Sequence, residues 1–382
     1  MRHRTGGLGA VGLIAVLIAG ACASNSPATS APWAPSTRNP ITTSTPATTS
    51  AVDPLVACLA TWPLRDRIAL LVWPGAYSDQ WTEVTAAVRD LHVGGVLLMH
   101  ADDAFAFDLA AHLNTLEQLS PHGLLVATDE EGGDVQRLRT LDPLPSQEDM
   151  SQLAPDNRSA VLDRHAQLIA AAGIDVVLGP IVDVRPAVGD DPLGSGRLFV
   201  GDPQQVASLG GEYVAAWQGA GMLSVLKHFP GHGSASADTH DLMATTPSLA
   251  AIRDYDLVPF KSLATTGTAV MVGHLNVPGL TDGQPASMSA TAIALLREIG
   301  YTDALVLSDA LGMDAIGIPV PDAAVLSVKA GVDVVLFTGI SETAEVIDAL
   351  ESAVIDGRLT VAEIDDSALR VATLLQARGR SC

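Results

Sequence analysis

The sequence of 382 residues predicts an α/β protein built as a single (β/α)8 barrel of the TIM type. Three observations point there. Short apolar, β-branched runs recur eight times, each followed by a stretch with helical patterning. The runs lack the strict alternation of a half-exposed sheet, which suits parallel strands covered by helices. Polar residues follow nearly every run instead of gathering at one place. An open doubly wound sheet, the competing architecture, collects them at a single topological switch point, whereas a closed barrel brings the C-terminal ends of all its strands around one pocket.

Taken in order, the chain begins with a targeting device. Arg2 and Arg4 precede an apolar run of 15 residues, Leu8 to Cys22, which has the order of a secretory signal and is too short to span a bilayer comfortably. Its end, Ile18-Ala19-Gly20-Ala21-Cys22, resembles a bacterial lipobox, with Ala19 where Leu is usual. Residues 1–21 are therefore expected to be a lipoprotein signal peptide and Cys22 the lipidated residue, anchoring an exported protein to the outer face of the bacterial cell membrane; plain secretion is the alternative. Residues 22–53 follow as a tether. Between Ala23 and Val52 there are five Pro and thirteen Ser or Thr, and Arg38 is the only charge, so no apolar period exists from which to build a core.

From residue 54 to 382 the composition is that of a folded domain. The expected strands are Ile68 to Trp73, Gly95 to Met99, Leu124 to Ala127, Val176 to Leu178, Ser224 to Leu226, Ala269 to Val272, Ala304 to Leu307 and Val334 to Phe337. Helical stretches such as Pro203 to Gly219 and Ser289 to Ile299 separate them. Cys58 and Cys382 stand near the two ends of this domain, and both an oxidised pair and two free buried thiols fit an exported protein.

Composition narrows function. With 48% hydrophobic and 17% charged residues, the chain can bury a core, and its net charge of −22 argues against a broad basic surface for nucleic acid. Three cysteines exclude a disulfide-dense scaffold and a multi-cysteine zinc module.

The densest chemistry follows the fifth run. Lys227-His228-Phe229-Pro230-Gly231-His232-Gly233 and then Asp238-Thr239-His240 place three histidines, a lysine and an aspartate within fourteen residues, which predicts a loop aiming polar groups at a ligand. Asp238 and His240 are two apart, so the carboxylate can hold one imidazole nitrogen and leave the other to exchange a proton.

That run, together with Asp129-Glu130-Glu131-Gly132-Gly133-Asp134-Val135-Gln136-Arg137 and Ser308-Asp309-Ala310-Leu311-Gly312-Met313, resembles glycoside hydrolase family 3, and most closely its single-domain NagZ-type β-N-acetylglucosaminidases. The resemblance covers nearly the whole chain after the tether and implies a (β/α)8 barrel. It implies a retaining exo-β-N-acetylglucosaminidase with Asp309 as nucleophile, His240 as acid and then base, and Asp238 as its dyad partner. Asp129, Arg137, Arg197, Lys227 and His228 match the family's sugar-binding positions. The implied substrate is an N-acetylglucosamine-containing glycan, such as a muropeptide or wall fragment, with no cofactor and no metal.

Glu130 and Asp134 stand where the family usually has Gln and Arg, which predicts extra negative charge near the rim; Ala310 and Gly312 replace the usual Asp and Ser. A metal site built from His228, His232, Asp238 and His240, with His274 and Asp309, is a rival chemistry, but Pro230 and Gly231 break the helix that would align His228 with His232. Phosphorolysis, glucoside hydrolysis and a non-catalytic wall-binding lipoprotein are the other readings. His274 is left to line the pocket or pack beneath it, and His92, His112, His122 and His165 are expected at the surface.

Overall fold

The computed structural model describes residues 53–380 apart from 102, 187–191 and 195. The expected signal peptide, the body of the tether, the lipidation site Cys22 and Cys382 lie outside the described residues. Cys58 is disulfide-bonded. It sits in the helix Pro54–Leu59, which Asp53 caps by accepting the Leu55 amide at 2.8 Å.

Eight strands form one parallel sheet: β1 (Val72–Tyr77), β2 (Gly95–His100), β3 (Leu125–Thr128), β4 (Val176–Val177), β5 (Leu223–Phe229), β6 (Ala269–Val272), β7 (Val306–Ser308) and β8 (Val335–Phe337). From β1 to β7 each strand pairs with its predecessor, and β8 returns beside β1, setting Val72 against Val335 and Pro74 against Phe337. Across the seam, β7 meets β8 through a bridge between Leu307 and Val334, and the Ser308 amide donates to the Val334 carbonyl at 2.9 Å. The sheet is thus a nearly closed parallel barrel, consistent with the TIM type.

The strands are buried nearly throughout, which is why their sequences read as continuous apolar runs. Helices capped by their own leading residues cover them. Asp202 and Gln205 form a reciprocal capping box at the start of Pro203–Gly219, Thr360 and Glu363 do the same for Val361–Ala377, and Ser289 caps Ala290–Glu298.

One strand is displaced from its expected position. Ile68 and Ala69 end a helix, Leu64–Ala69, and β1 starts at Val72. A short apolar run cannot be assigned to helix or strand by periodicity alone, and Pro74 and Gly75, which look like a terminator, lie inside the strand. Gly75 is required there because a Cβ would stand 2.6 Å from the Thr338 carbonyl oxygen.

The N-terminal end of the barrel is tied by two buried carboxylates. Asp175 accepts the Val126 amide at 3.0 Å and also takes Arg378 and Arg380, each at 2.9 Å. Asp333 accepts the Val306 amide at 2.9 Å, the Ser367 hydroxyl at 2.9 Å, and Arg370 and Arg297 at 3.0 and 3.3 Å. Strand amides that have no neighbour in the ladder are satisfied this way, and the C-terminal residues are bound to the barrel floor.

Candidate active site

At the opposite end, where the strands terminate, a cavity of about 400 Å³ opens. Leu97, Leu178, Met271 and Leu336 contribute apolar surface from the barrel interior, and Asp129, Glu131, Arg137, Arg197, Lys227, His228, His240 and Asp309 supply the polar groups. Seven of the eight residues that the sequence proposes for catalysis or binding therefore border one space. The eighth, Asp238, touches His240.

Asp129 follows β3 directly. One of its oxygens accepts Lys227 Nζ at 2.8 Å and the other Arg137 Nη2 at 3.2 Å. Lys227 also reaches Glu131 at 2.7 Å, and Arg197 clasps Glu131 through two donors at 2.9 and 3.0 Å. Burial alone would raise the Asp129 carboxyl, but Lys227 and Arg137 outweigh it and hold the group well below the usual carboxylate range. Burial likewise opposes the charge on Lys227, yet Asp129 and Glu131 keep its pKa raised. Asp129, Glu131, Lys227 and Arg197 stay ionised, with donors bordering the cavity. Arg137 Nε has no hydrogen-bond partner among the described residues.

Lys227 and His228 are not in a loop, as the motif suggested. They belong to β5, and the loop starts at Pro230. Both side chains border the cavity, and the peptide between them and that between Phe229 and Pro230 are cis. Asp183, fully buried, organises this corner: it accepts the amides of His228 and His232 and takes His228 Nδ1 at 2.7 Å. Its pKa is lowered because the two histidines and their amides outweigh its burial. An ionised carboxylate only accepts, so His228 Nδ1 donates and Nε2 is left for a ligand.

The loop after β5 turns at Gly231, whose φ of 121° and close approach to Asp256 exclude a side chain: a Cβ would stand 2.4 Å from the Asp256 Cβ. Burial pushes the Asp256 carboxyl up to about 7, although Ser234 hydrogen-bonds to it. Further on, His232 Nε2 lies 3.2 Å from the Thr239 hydroxyl, holding the segment that carries the dyad. Asp238 Oδ1 accepts both the His240 amide, at 2.9 Å, and His240 Nδ1, at 2.8 Å. These bonds outweigh partial burial and lower the Asp238 pKa. His240 is 63% exposed at the cavity mouth, its Nε2 free of Asp238.

Asp309 follows β7. Its amide donates to Val272 and its carboxylate accepts the Ala310 amide at 2.8 Å. Burial favours the neutral acid, but His228, His274 and the Ala310 amide together lower its pKa. His274 packs beneath this turn, donating Nε2–H to the Ala310 carbonyl at 3.0 Å while Nδ1 takes Ser287 at 2.8 Å. Burial keeps it below the ordinary histidine pKa.

Two expectations are corrected. Glu130 is not at the rim: it is buried, accepting the Arg137 and Leu138 amides and facing His165 Nε2 at 3.0 Å. His165 is itself fully buried, and His92, His112 and His122 are partly buried. Only Asp134 of the pair is exposed. Glu131 and Asp183 are site residues that the sequence reading did not assign. Glu131 was within reach, since it stands two after Asp129 in a segment of strand periodicity and so shares its face; Asp183 acts through two backbone amides, which no residue spacing announces.

The family model described as "Glycosyl hydrolase family 3 N terminal domain" matches residues 63–374, and the chain belongs to that family of hydrolases. It is 39% identical over 323 residues to "Beta-hexosaminidase LpqI" of Mycobacterium tuberculosis, covering 81% of this chain and 82% of that protein. To the "Beta-hexosaminidase" of Xanthomonas oryzae pv. oryzae it is 37% identical over 253 residues, 61% of this chain and 73% of the relative. Among solved structures, a family GH3 glycosyl hydrolase from Mycobacterium smegmatis superimposes with a TM-score of 0.77 at 36% identity, over 83% of this chain and 98% of that one. The structure of M. tuberculosis LpqI gives the same TM-score and identity over 84% and 96%.

Proposed function

We infer that this chain is a retaining exo-β-N-acetylglucosaminidase that removes non-reducing terminal N-acetylglucosamine from wall-derived fragments. The observation that carries this reading is that an ionised carboxylate, Asp309, and a carboxylate-held histidine, His240, border the same sugar-sized cavity, lined below by paired charges. Beta-hexosaminidase relatives that match most of the chain support the substrate class. The Arg2, Arg4 and Cys22 pattern supports an exported protein anchored by lipid at the outer face of the membrane.

In the proposed sequence, an Asp309 oxygen attacks the anomeric carbon while the bond to the leaving oxygen breaks. His240 Nε2–H gives that oxygen its proton. Asp238 holds Nδ1–H and stabilises the imidazolium before transfer. Neutral His240 then takes a proton from water, which attacks the same carbon and releases Asp309 with overall retention. Asp129, Lys227, Arg197, Arg137 and His228 bind and orient the sugar by hydrogen bonds to hydroxyl and acetamido oxygens.

The test compares turnover of chromogenic N-acetylglucosaminide and glucoside, each with and without phosphate. Release of free N-acetylglucosamine, with the glucoside much slower, is expected; phosphate-dependent turnover yielding a sugar phosphate would replace hydrolysis with phosphorolysis. Asp238→Asn is expected to lower kcat by roughly 10²- to 10⁴-fold, and an unchanged rate would remove the dyad from the mechanism.

A further inference from the structure

On the end of the barrel away from the cavity, three chemically matched side chains converge from three segments. Asp66 lies in the helix Leu64–Ala69 that leads into β1, His92 stands three residues before β2, and His122 three residues before β3. Because β1, β2 and β3 are adjacent, their N-terminal approaches meet. One Asp66 oxygen lies 3.1 Å from His92 Nδ1 and the other 2.8 Å from His122 Nε2. Taken one per residue, the ligand atoms all lie within 4.8 Å of one another.

We propose that Asp66, His92 and His122 form a zinc site that clasps the N-terminal ends of the first three barrel strands. Two imidazoles and a carboxylate suit Zn²⁺, which binds such ligands at about 2.0–2.2 Å with tetrahedral geometry. At that radius neighbouring ligand atoms are about 3.3 Å apart; each histidine lies at close to that spacing from its own Asp66 oxygen, so when one oxygen ligates, that pair already fits and the remaining nitrogen has to draw in from within 4.8 Å. The metal replaces the protons that the imidazoles share with the carboxylate, and solvent takes the fourth position, since all three side chains are partly exposed.

The surroundings hold these ligands in place. The His122 ring stacks on Trp62 at 3.7 Å with 22° between planes. His92 is held at a φ of 60°, in the left-handed region that ends the helix Trp81–Leu91. Gly or Asn is the usual occupant there, and histidine is among the few other residues that tolerate it. The Gly94 amide ties this turn to the Ala69 carbonyl at 2.9 Å, and the Leu125 amide ties the next strand to Gly94 at 3.0 Å. None of the three ligands borders the catalytic cavity, so this site and the glycosidase reading stand or fall separately.

Zinc binding is measured by equilibrium dialysis of the EDTA-stripped protein, and ligation by the visible spectrum of the cobalt-loaded form. The unsubstituted protein is expected to bind a single tight equivalent with a tetrahedral cobalt spectrum, and to melt several degrees higher with zinc than in EDTA. His122→Ala and His92→Asn, the latter keeping a residue that tolerates left-handed backbone, should each weaken binding by more than the roughly 10- to 100-fold that loss of an outer-shell partner costs. Both should lose the zinc-dependent rise in Tm while melting cooperatively in EDTA. No tight zinc in the unsubstituted protein, or zinc affinity in the two variants equal to that of the unsubstituted protein, would overturn the proposal. Zinc whose uptake is abolished by Asp238→Asn and unaffected by His122→Ala would overturn it too, by assigning the metal to the catalytic loop.

Discussion

Asp175 and Asp333 at the N-terminal end of the barrel, and Asp129 and Glu131 at the C-terminal end, are all buried carboxylates paired with basic residues. At the N-terminal end each carboxylate accepts a strand amide as well as arginines from the surrounding helices and the chain's C-terminal segment. Its hydrogen-bonding capacity is consumed within the fold. At the other end the carboxylates are balanced by Lys227, Arg137 and Arg197, which themselves border an open cavity. Charge is retained there next to space, where a neutral sugar can take up the donors left over. The same residue types thus close the barrel at one face and present chemistry at the other, the division of labour expected of this architecture.

Substitutions that separate the two roles sharpen the contrast. The largest effect is expected from Asp309→Asn, which removes the proposed nucleophile but keeps its shape. The kcat on a chromogenic N-acetylglucosaminide should fall on the order of 10⁴-fold or more, with the melting temperature nearly unchanged. A variant that keeps turnover would detach Asp309 from the chemistry.

Asp333→Asn should behave in the opposite sense. Loss of its ion pairs and weakening of its bonds to Val306 and Ser367 should cost about 2 kcal/mol in a urea titration, while the activity per folded molecule stays within about twofold. If activity fell with stability unchanged, the proposed separation of the two ends would fail.

The smallest effect concerns Asp256 behind the catalytic loop. Its folded pKa is raised to about 7, so between about pH 4 and 7 the native protein holds a proton that the unfolded chain has lost. Its contribution is fully present below about pH 4, declines as pH rises and is gone above about 7. Asp256→Asn should therefore melt like the parent at pH 4 and be the more stable of the two at pH 8. Equal differences at both pH values would show that this carboxyl does not titrate in that range.

The number and order of barrel strands were legible because each is an uninterrupted apolar run closed by polar residues; β6 and the helix Pro203–Gly219 lie where the pattern puts them. The start of β1 was not, because Ile68 to Leu71 form a buried helix end and the turn after it, whose hydrophobicity looks like that of a strand. Asp238 and His240 were legible as a pair because their bond is local, spanning two residues. Glu130 was misjudged because its partner, His165, is 35 residues away on a covering helix, and that contact exists only once the helix has packed.

Residue type and local spacing by themselves determined the eightfold βα alternation and the bond between Asp238 and His240, since each depends on interactions within a few positions along the chain. Tertiary structure alone decided that Asp183 binds the two amides that shape the histidine corner, that Glu131 joins Lys227 to Arg197, and that Asp66, His92 and His122 meet at the far end. Those contacts link segments from different strands, and they come into being when the sheet curls and joins its first strand to its last.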